Sequence, residues 1–357
     1  MILTRAQHQR AAESCYHRAS TGLAHLRLPP SACAAEGLPY DALHALQLAA
    51  HARHVRQTAH VHRKSDALER YVSAYADEGF TILEIAQSRK VNFSPYLLAR
   101  LFVERLLGVK RSEVGAYMRT PSLIPDVRLR GEVAACVEAD AYCSPLVDRV
   151  KAWAGEEHEW RLQAALARGG RGVPRAALFT EEELRARAPP PRRTPDVLLR
   201  WPAVVACAHG APALVTWLDS KAAFGEEHAV AEAAAQVADY ARLFGPGAVV
   251  WWGGHVEELA RACCEGPPRG AAPLVFAEPP QLLRWATLEE AAALREALAE
   301  DAAREEGGSG LWLEQPPAGP PGERVGALAA AAPPPPGWEC AAAELQRQDA
   351  LREAARV

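Results

Sequence analysis

Three side chains in the middle of the chain have the types and spacing for phosphodiester chemistry: Asp196, Asp219 and Lys221. Asp196 follows Thr194-Pro195 at the head of an apolar run, and Asp219-Ser220-Lys221 closes the next run, Leu214 to Leu218. Side chains alternate across a strand, so Asp219 and Lys221 share a face, and pairing of the two runs brings Asp196 beside them. Two carboxylates offer hard oxygen to Mg²⁺, and a neighbouring ammonium can hold and help deprotonate a water. Phosphodiester hydrolysis needs that set: a cation against the phosphate oxygens and a water aligned for in-line attack. A turn aspartate and a surface ion pair would satisfy the same spacing.

Glu159 joins them by a different argument. With Leu162 and Leu166 it lies on the apolar stripe of a helix, whereas Glu157 falls about 200° away by the helical repeat, on the wet side. A carboxylate on a core-facing stripe is costly without a partner, and a metal cluster is one. A first-turn glutamate favoured by the helix dipole is the alternative.

The elements that must position these residues read as α/β. KAWAGEEHEWRLQAALA and EHAVAEAAAQVADYARLF are helical, the second stopping at Gly245-Pro246-Gly247. Thr180 and Glu183 have the spacing of a capping box. TPDVLLRWPAVVAC and PALVTWLDSKA are β-rich and joined through Ala208-His209-Gly210-Ala211, and AVVWWGG reads as a buried strand. That order predicts a mixed α/β sandwich. Trp251 and Trp252 are expected to pack rather than to stack on bases, and His158 and His228 to be structural.

The first 130 residues read as helical, with apolar spacings of three and four over 40–58 and 66–78. Ile82, Leu83, Ile85 and Ala86 form one short helix; Ser94 caps another, with Pro95 at its first position. The pair near 81–107 reads as a helix-turn-helix or as an ordinary helical hairpin. His51, His54, His60 and His62 stand in a basic stretch that suits a solvated face or, less well, phosphate contact.

Residues 1–150 hold 19 basic and 15 acidic side chains, against 7 and 14 over 277–357, so a basic front meets an acidic end. Past 276 a solvated helix and a Pro/Gly/Ala linker predict an appendage, partly helical and partly disordered. The 8 cysteines lack a CxxC spacing, which argues for reduced thiols over a zinc ribbon or disulfide framework. No apolar stretch suits a membrane span, and MILTRAQHQR lacks the apolar core of a secretory signal. The expected location is nuclear or cytoplasmic, not secreted.

Several blocks in order, MILT, SPYLLARLFVERLL, PSLIPD, PLVDRVKAWAGEEHE, TPDVLL, WLDSKAAFGEE and RLFGPG with VVWW, resemble the codanin-interacting nucleases, a branch of the PD-(D/E)xK restriction-endonuclease-like superfamily. The resemblance covers roughly residues 1–276. It implies a helical domain over 1–130, an α/β/α nuclease core with a mixed sheet over 131–276, and a tail over 277–357. It implies Asp196 and Asp219 as metal ligands, with Asp219 standing where close relatives carry Glu, and Lys221 as the motif lysine. The Ser220 carbonyl would complete the metal site, and Glu159 would be the first-helix glutamate at a Gly-x-x-His-Glu position. Gln236 and Tyr240 resemble the auxiliary pair that faces the active site. The implied activity is Mg²⁺-dependent cleavage of nucleic acid, with Mn²⁺ as substitute and DNA favoured over RNA, and a codanin-like protein is the implied partner. The rival reading is a catalytically silent adaptor that keeps the fold as a binding surface.

Overall fold

The computed structural model describes residues 1–23, 30–168, 173, 177–187, 190–207, 211–265 and 273–304. It divides into a helical unit, Ala6–Ala152, and an α/β unit made of Met1–Arg5 and the chain from Trp153 onward. No helix among the described residues is long and apolar enough to cross a membrane.

The strands are β1 (Ile2–Leu3), β2 (Leu178–Thr180), β3 (Val197–Val205), β4 (Ala213–Lys221), β5 (Gly247–Trp251), β6 (His255–Val256), β7 (Leu274–Phe276) and β8 (Leu282–Trp285). The main sheet runs β2-β3-β4-β5-β7, with β8 also on β3. Pairing is antiparallel from β2 to β4 and parallel from β4 to β7, so the mixed sheet expected from the sequence is present. The tip of the β3–β4 hairpin, 208–210, lies outside the described residues.

Pro202 sits inside β3, where a central strand ordinarily excludes proline. Its position explains the tolerance. The β3–β4 register shifts between Leu198 and Ala203, and β3 changes partner there, from β2 at Val197–Leu199 to β8 at Ala203–Val205.

Alternation along the strands separates two apolar layers. Leu199, Leu218, Ala248 and Val250 face Leu162 and Leu166 of the helix Pro145–Arg168. Leu198, Trp217, Val249 and Trp251 face Val237, Tyr240 and Phe244 of the helix Glu227–Phe244. Trp217 stands opposite Gly247 in the parallel ladder, and a Cβ at Gly247 would come within 2.1 Å of its ring. Only glycine admits the indole there.

Four expectations need correction. The α/β core does not begin at 131: Leu129, Val133 and Cys136 of the helix Val127–Ala139 are buried with Ile82, Leu98 and Phe102, which places that helix in the helical unit. Nor does it end at 276. Leu282 and Trp285 of β8 and Ala291 of the helix Leu288–Arg304 are buried against the sheet, so part of the expected appendage is core. The rest of that tail, 305–357, lies outside the described residues. The chain start is not wholly helical either, because β1 pairs in parallel with β6. Finally, His51, His54 and His62 are buried, not on a solvated face.

In the helical unit the expected Ser94 cap forms, its Oγ accepting from the Leu97 N–H at the head of Pro95–Leu107, and Thr81 and Glu84 add a reciprocal capping box on Ile82–Gln87. Ser94 Oγ also donates to Asp140 Oδ2. Asn92, in the left-handed region at φ 40°, makes the turn between them.

Candidate active site

Asp196 immediately precedes β3, and Asp219 and Lys221 end β4, so the antiparallel pairing expected from the apolar runs gathers them at one end of the sheet. The Ser220 N–H donates to Asp196 Oδ2 at 2.6 Å, which ties one motif to the other. Asp219 shares its face with Trp217 and is buried, its neighbours being supplied by the helix Glu227–Phe244.

Lys221 Nζ lies 2.7 Å from Asp219 Oδ2 and donates to Gln236 Oε1 at 3.0 Å. The pairing with Lys221 falls short of ideal hydrogen-bond alignment at the buried Asp219 Oδ2, although Lys221 and the Tyr240 hydroxyl both stabilise the ionised carboxylate. Gln236 Nε2 donates to the Tyr240 hydroxyl at 2.6 Å, and that hydroxyl donates to the Thr194 carbonyl at 2.8 Å. One polar chain therefore runs from Asp219 through Lys221, Gln236 and Tyr240 back to the Thr-Pro-Asp segment. Gln236 and Tyr240 are one helical turn apart, which places both on the face that covers the strands.

Glu159 approaches from the opposite layer, half-buried, while Leu162 and Leu166 of its helix are buried in the core as the stripe requires. Glu157 is not on the wet side: it is buried and pairs with Arg161 at 2.5 Å, an i,i+4 contact that neutralises it.

The electrostatics are those of crowded, poorly neutralised acids. Burial pushes the Asp196 carboxyl well up, and the charges of Asp219 and then Glu159 push the same way, against the Ser220 N–H and Lys221. Asp219 is raised by burial against the pull of Lys221. Glu159 is raised by burial, then by Glu181 and Asp219. Burial and the two aspartates push the Tyr240 phenol up, so it acts as a donor and not as a phenolate.

A divalent cation would relieve this repulsion, and at Asp219 it would compete with Lys221 for Oδ2. The donors are hard oxygens suited to Mg²⁺, which keeps several waters and takes one or two carboxylates. Among the described residues no group of three or more His, Cys, Asp or Glu is gathered closely enough to hold a metal. An ion held here would have Asp196 and Asp219, main-chain oxygen and water as its ligands rather than a closed cage.

Three residues of the site escaped the sequence reading. Glu181 Oε1 accepts from Thr194 Oγ1 at 2.8 Å and from Arg185, and its charge bears on Glu159, Asp219 and Tyr240. Within FTEEEL only the capping-box spacing was legible, and it points to Glu183. Thr194 is buried and links Glu181 to Tyr240. Trp252, expected only to pack, is half-buried and donates from Nε1 to Ser220 Oγ at 2.8 Å, with its ring 5.3 Å from that of His158. His158 and His228 have local partners, the Ala154 carbonyl and Glu232.

Comparison with known proteins places the chain in a family. A profile described as "Protein of unknown function TPD sequence-motif" matches residues 125–266, which span every residue named above from Glu157 to Trp252. Thr-Pro-Asp stands in this chain at 194–196. CDAN1-interacting nuclease 1 of Bos taurus and that of Homo sapiens are each 32% identical over 220 residues, covering 58% of this chain and 73% of the relative. The Xenopus laevis protein of the same name is 33% identical over 218 residues, 57% of this chain and 67% of its own. This chain belongs to the CDAN1-interacting nuclease 1 family. No solved structure matches it.

Proposed function

We propose that the α/β unit hydrolyses phosphodiester bonds of nucleic acid, DNA in preference to RNA, with Mg²⁺ or Mn²⁺. The observation that supports this most is Lys221, shared between Asp219 and Gln236 beside the raised Asp196 carboxyl. A divalent ion held by Asp196, Asp219 and the Ser220 carbonyl would supply charge neutralisation at the phosphate oxygens. As an ammonium aimed by Gln236 rather than free to swing, Lys221 positions the attacking water and favours its hydroxide form electrostatically, the proton leaving to solvent. Tyr240 holds Gln236 in turn. Glu159 positions a further water or a second ion.

A second reading is an adaptor for a codanin-like protein, favoured by the printed name of the relatives and by the lack of a three-acid group among the described residues. Cleavage assays on branched, single-stranded and duplex substrates, with Mg²⁺ or Mn²⁺, separate the two. Metal-dependent cleavage lost in Lys221→Ala supports the enzyme; a wild-type protein that cuts nothing and shows no thermal shift with either ion supports the adaptor.

A further inference from the structure

The helical unit carries a cleft of about 430 Å³, within the range of ligand pockets, that none of the catalytic residues touches. Four guanidinium groups line it, Arg63, Arg100, Arg105 and Arg111, against a single carboxylate, Glu104. The guanidinium groups of Arg63, Arg105 and Arg111 have no hydrogen-bond or ion-pair partner among the described residues, and Arg100 has only the Tyr96 hydroxyl at 3.4 Å and its ring. Cations grouped without counter-charges repel one another, so an anionic occupant would relieve them. Between them the lining is aliphatic: Leu68, Leu97, Leu101, Val109 and Val114.

We infer that this cleft docks an acidic segment of a protein partner, one with aliphatic side chains interleaved among Asp or Glu. Carboxylates would take the guanidinium rim as bidentate pairs, and the aliphatic side chains would cover Leu97, Leu101 and Val109. Three observations set this above a nucleic-acid strand. Half-buried leucines gain nothing from a phosphate backbone. The one aromatic ring in the lining, Phe93, is buried beneath the His62 ring at 4.2 Å, so no open face offers base stacking. The helix Pro95–Leu107 lends residues to a concave wall here, whereas reading a duplex major groove requires a projecting helix. The inference does not depend on whether the α/β unit cleaves nucleic acid.

The test uses the full chain and a fluorescein-labelled peptide of repeating Leu-Glu-Glu-Leu, followed by fluorescence anisotropy. Matched probes carry Gln for every Glu, or Ser for every Leu, and duplex and single-stranded DNA serve as competitors. Saturable binding of the Leu/Glu peptide alone is expected, weakening about tenfold or more in Arg63→Glu and in Arg111→Glu, whose folding circular dichroism verifies. Val109→Asp should weaken the same peptide through the floor rather than the rim. The inference is overturned if the Leu/Glu peptide does not saturate, or if the Gln peptide binds equally. It is also overturned if DNA displaces the peptide and its own binding falls in the arginine variants, which would assign the cleft to nucleic acid.

Discussion

The backbone N–H of Ser220 donates to Asp196 Oδ2 at 2.6 Å, so the strand that ends in Asp219 and Lys221 holds the first aspartate in place through its main chain. A main-chain donor cannot be removed by changing the Ser220 side chain. The position of Asp196 is thereby tied to the pairing of β3 with β4. This makes the site sensitive to the sheet beneath it as well as to its own side chains.

Asp219→Ala and Lys221→Ala should both abolish cleavage but differ in metal-linked stability. A ligand that binds only the native state at about 100 times its Kd raises stability by about 2.7 kcal/mol. Thermal melts with and without Mg²⁺ or Mn²⁺ should lose that rise in Asp219→Ala. In Lys221→Ala it should persist or grow, since a cation that competes for Asp219 is gone. Equal loss in both would remove Asp219 from the metal-holding role.

Glu181→Gln keeps an acceptor for the Thr194 hydroxyl and removes the charge that, after burial, most raises Glu159. The Glu159 carboxyl should then titrate at lower pH and stay ionised further into acid. Carbon-13 NMR titration of the metal-free protein reads this directly, and the acid limb of a pH–rate profile should move the same way. A Glu159 titration unmoved by the substitution would mean that Glu181 acts only through Thr194.

His62 is held down to about 4 from an ordinary 6.5, by burial first and then by His54 and His60. A base lowered on folding contributes stability that is present above the unfolded pKa and lost as pH falls through the folded one. Urea midpoints of the helical transition should therefore drop between about pH 6.5 and about 4. His62→Phe, which retains an aromatic ring against Phe93, should flatten that drop, although it forfeits the hydrogen bond to Tyr71. A drop as steep in the variant as in the wild type would assign the acid sensitivity elsewhere.

Gly247→Ala forces a methyl into the Trp217 ring and should cost about 1–3 kcal/mol by overpacking. Adding Trp217→Phe should return part of the loss, because the smaller ring vacates the space while Gly245 loses the indole donor to its carbonyl. Urea titration of the single and double variants measures the coupling. Additive losses would show that the two side chains do not compete for that space.

Local rules in the sequence determined a good deal. The apolar alternation of β3 and β4 put Asp219 and Lys221 on one face, and the three-and-four spacing put Glu159 on the stripe with Leu162 and Leu166. The Ser94-Pro95 helix start and the Gly245 stop are equally local, since capping and breaking act within a turn. The tertiary structure decided what depended on distant partners. Glu157 looked solvated by helical angle, yet a local Arg161 pairing lets it be buried. Leu282 and Trp285 follow two prolines in a run too short to declare itself, and became core only because β3 had an open edge beyond Pro202. Glu181 and Trp252 carry no spacing signal toward Asp196 or Ser220, being brought to them by strand order alone. The reason is range: periodicity reports which face a residue takes, whereas only the packed sheet reports what lies opposite that face.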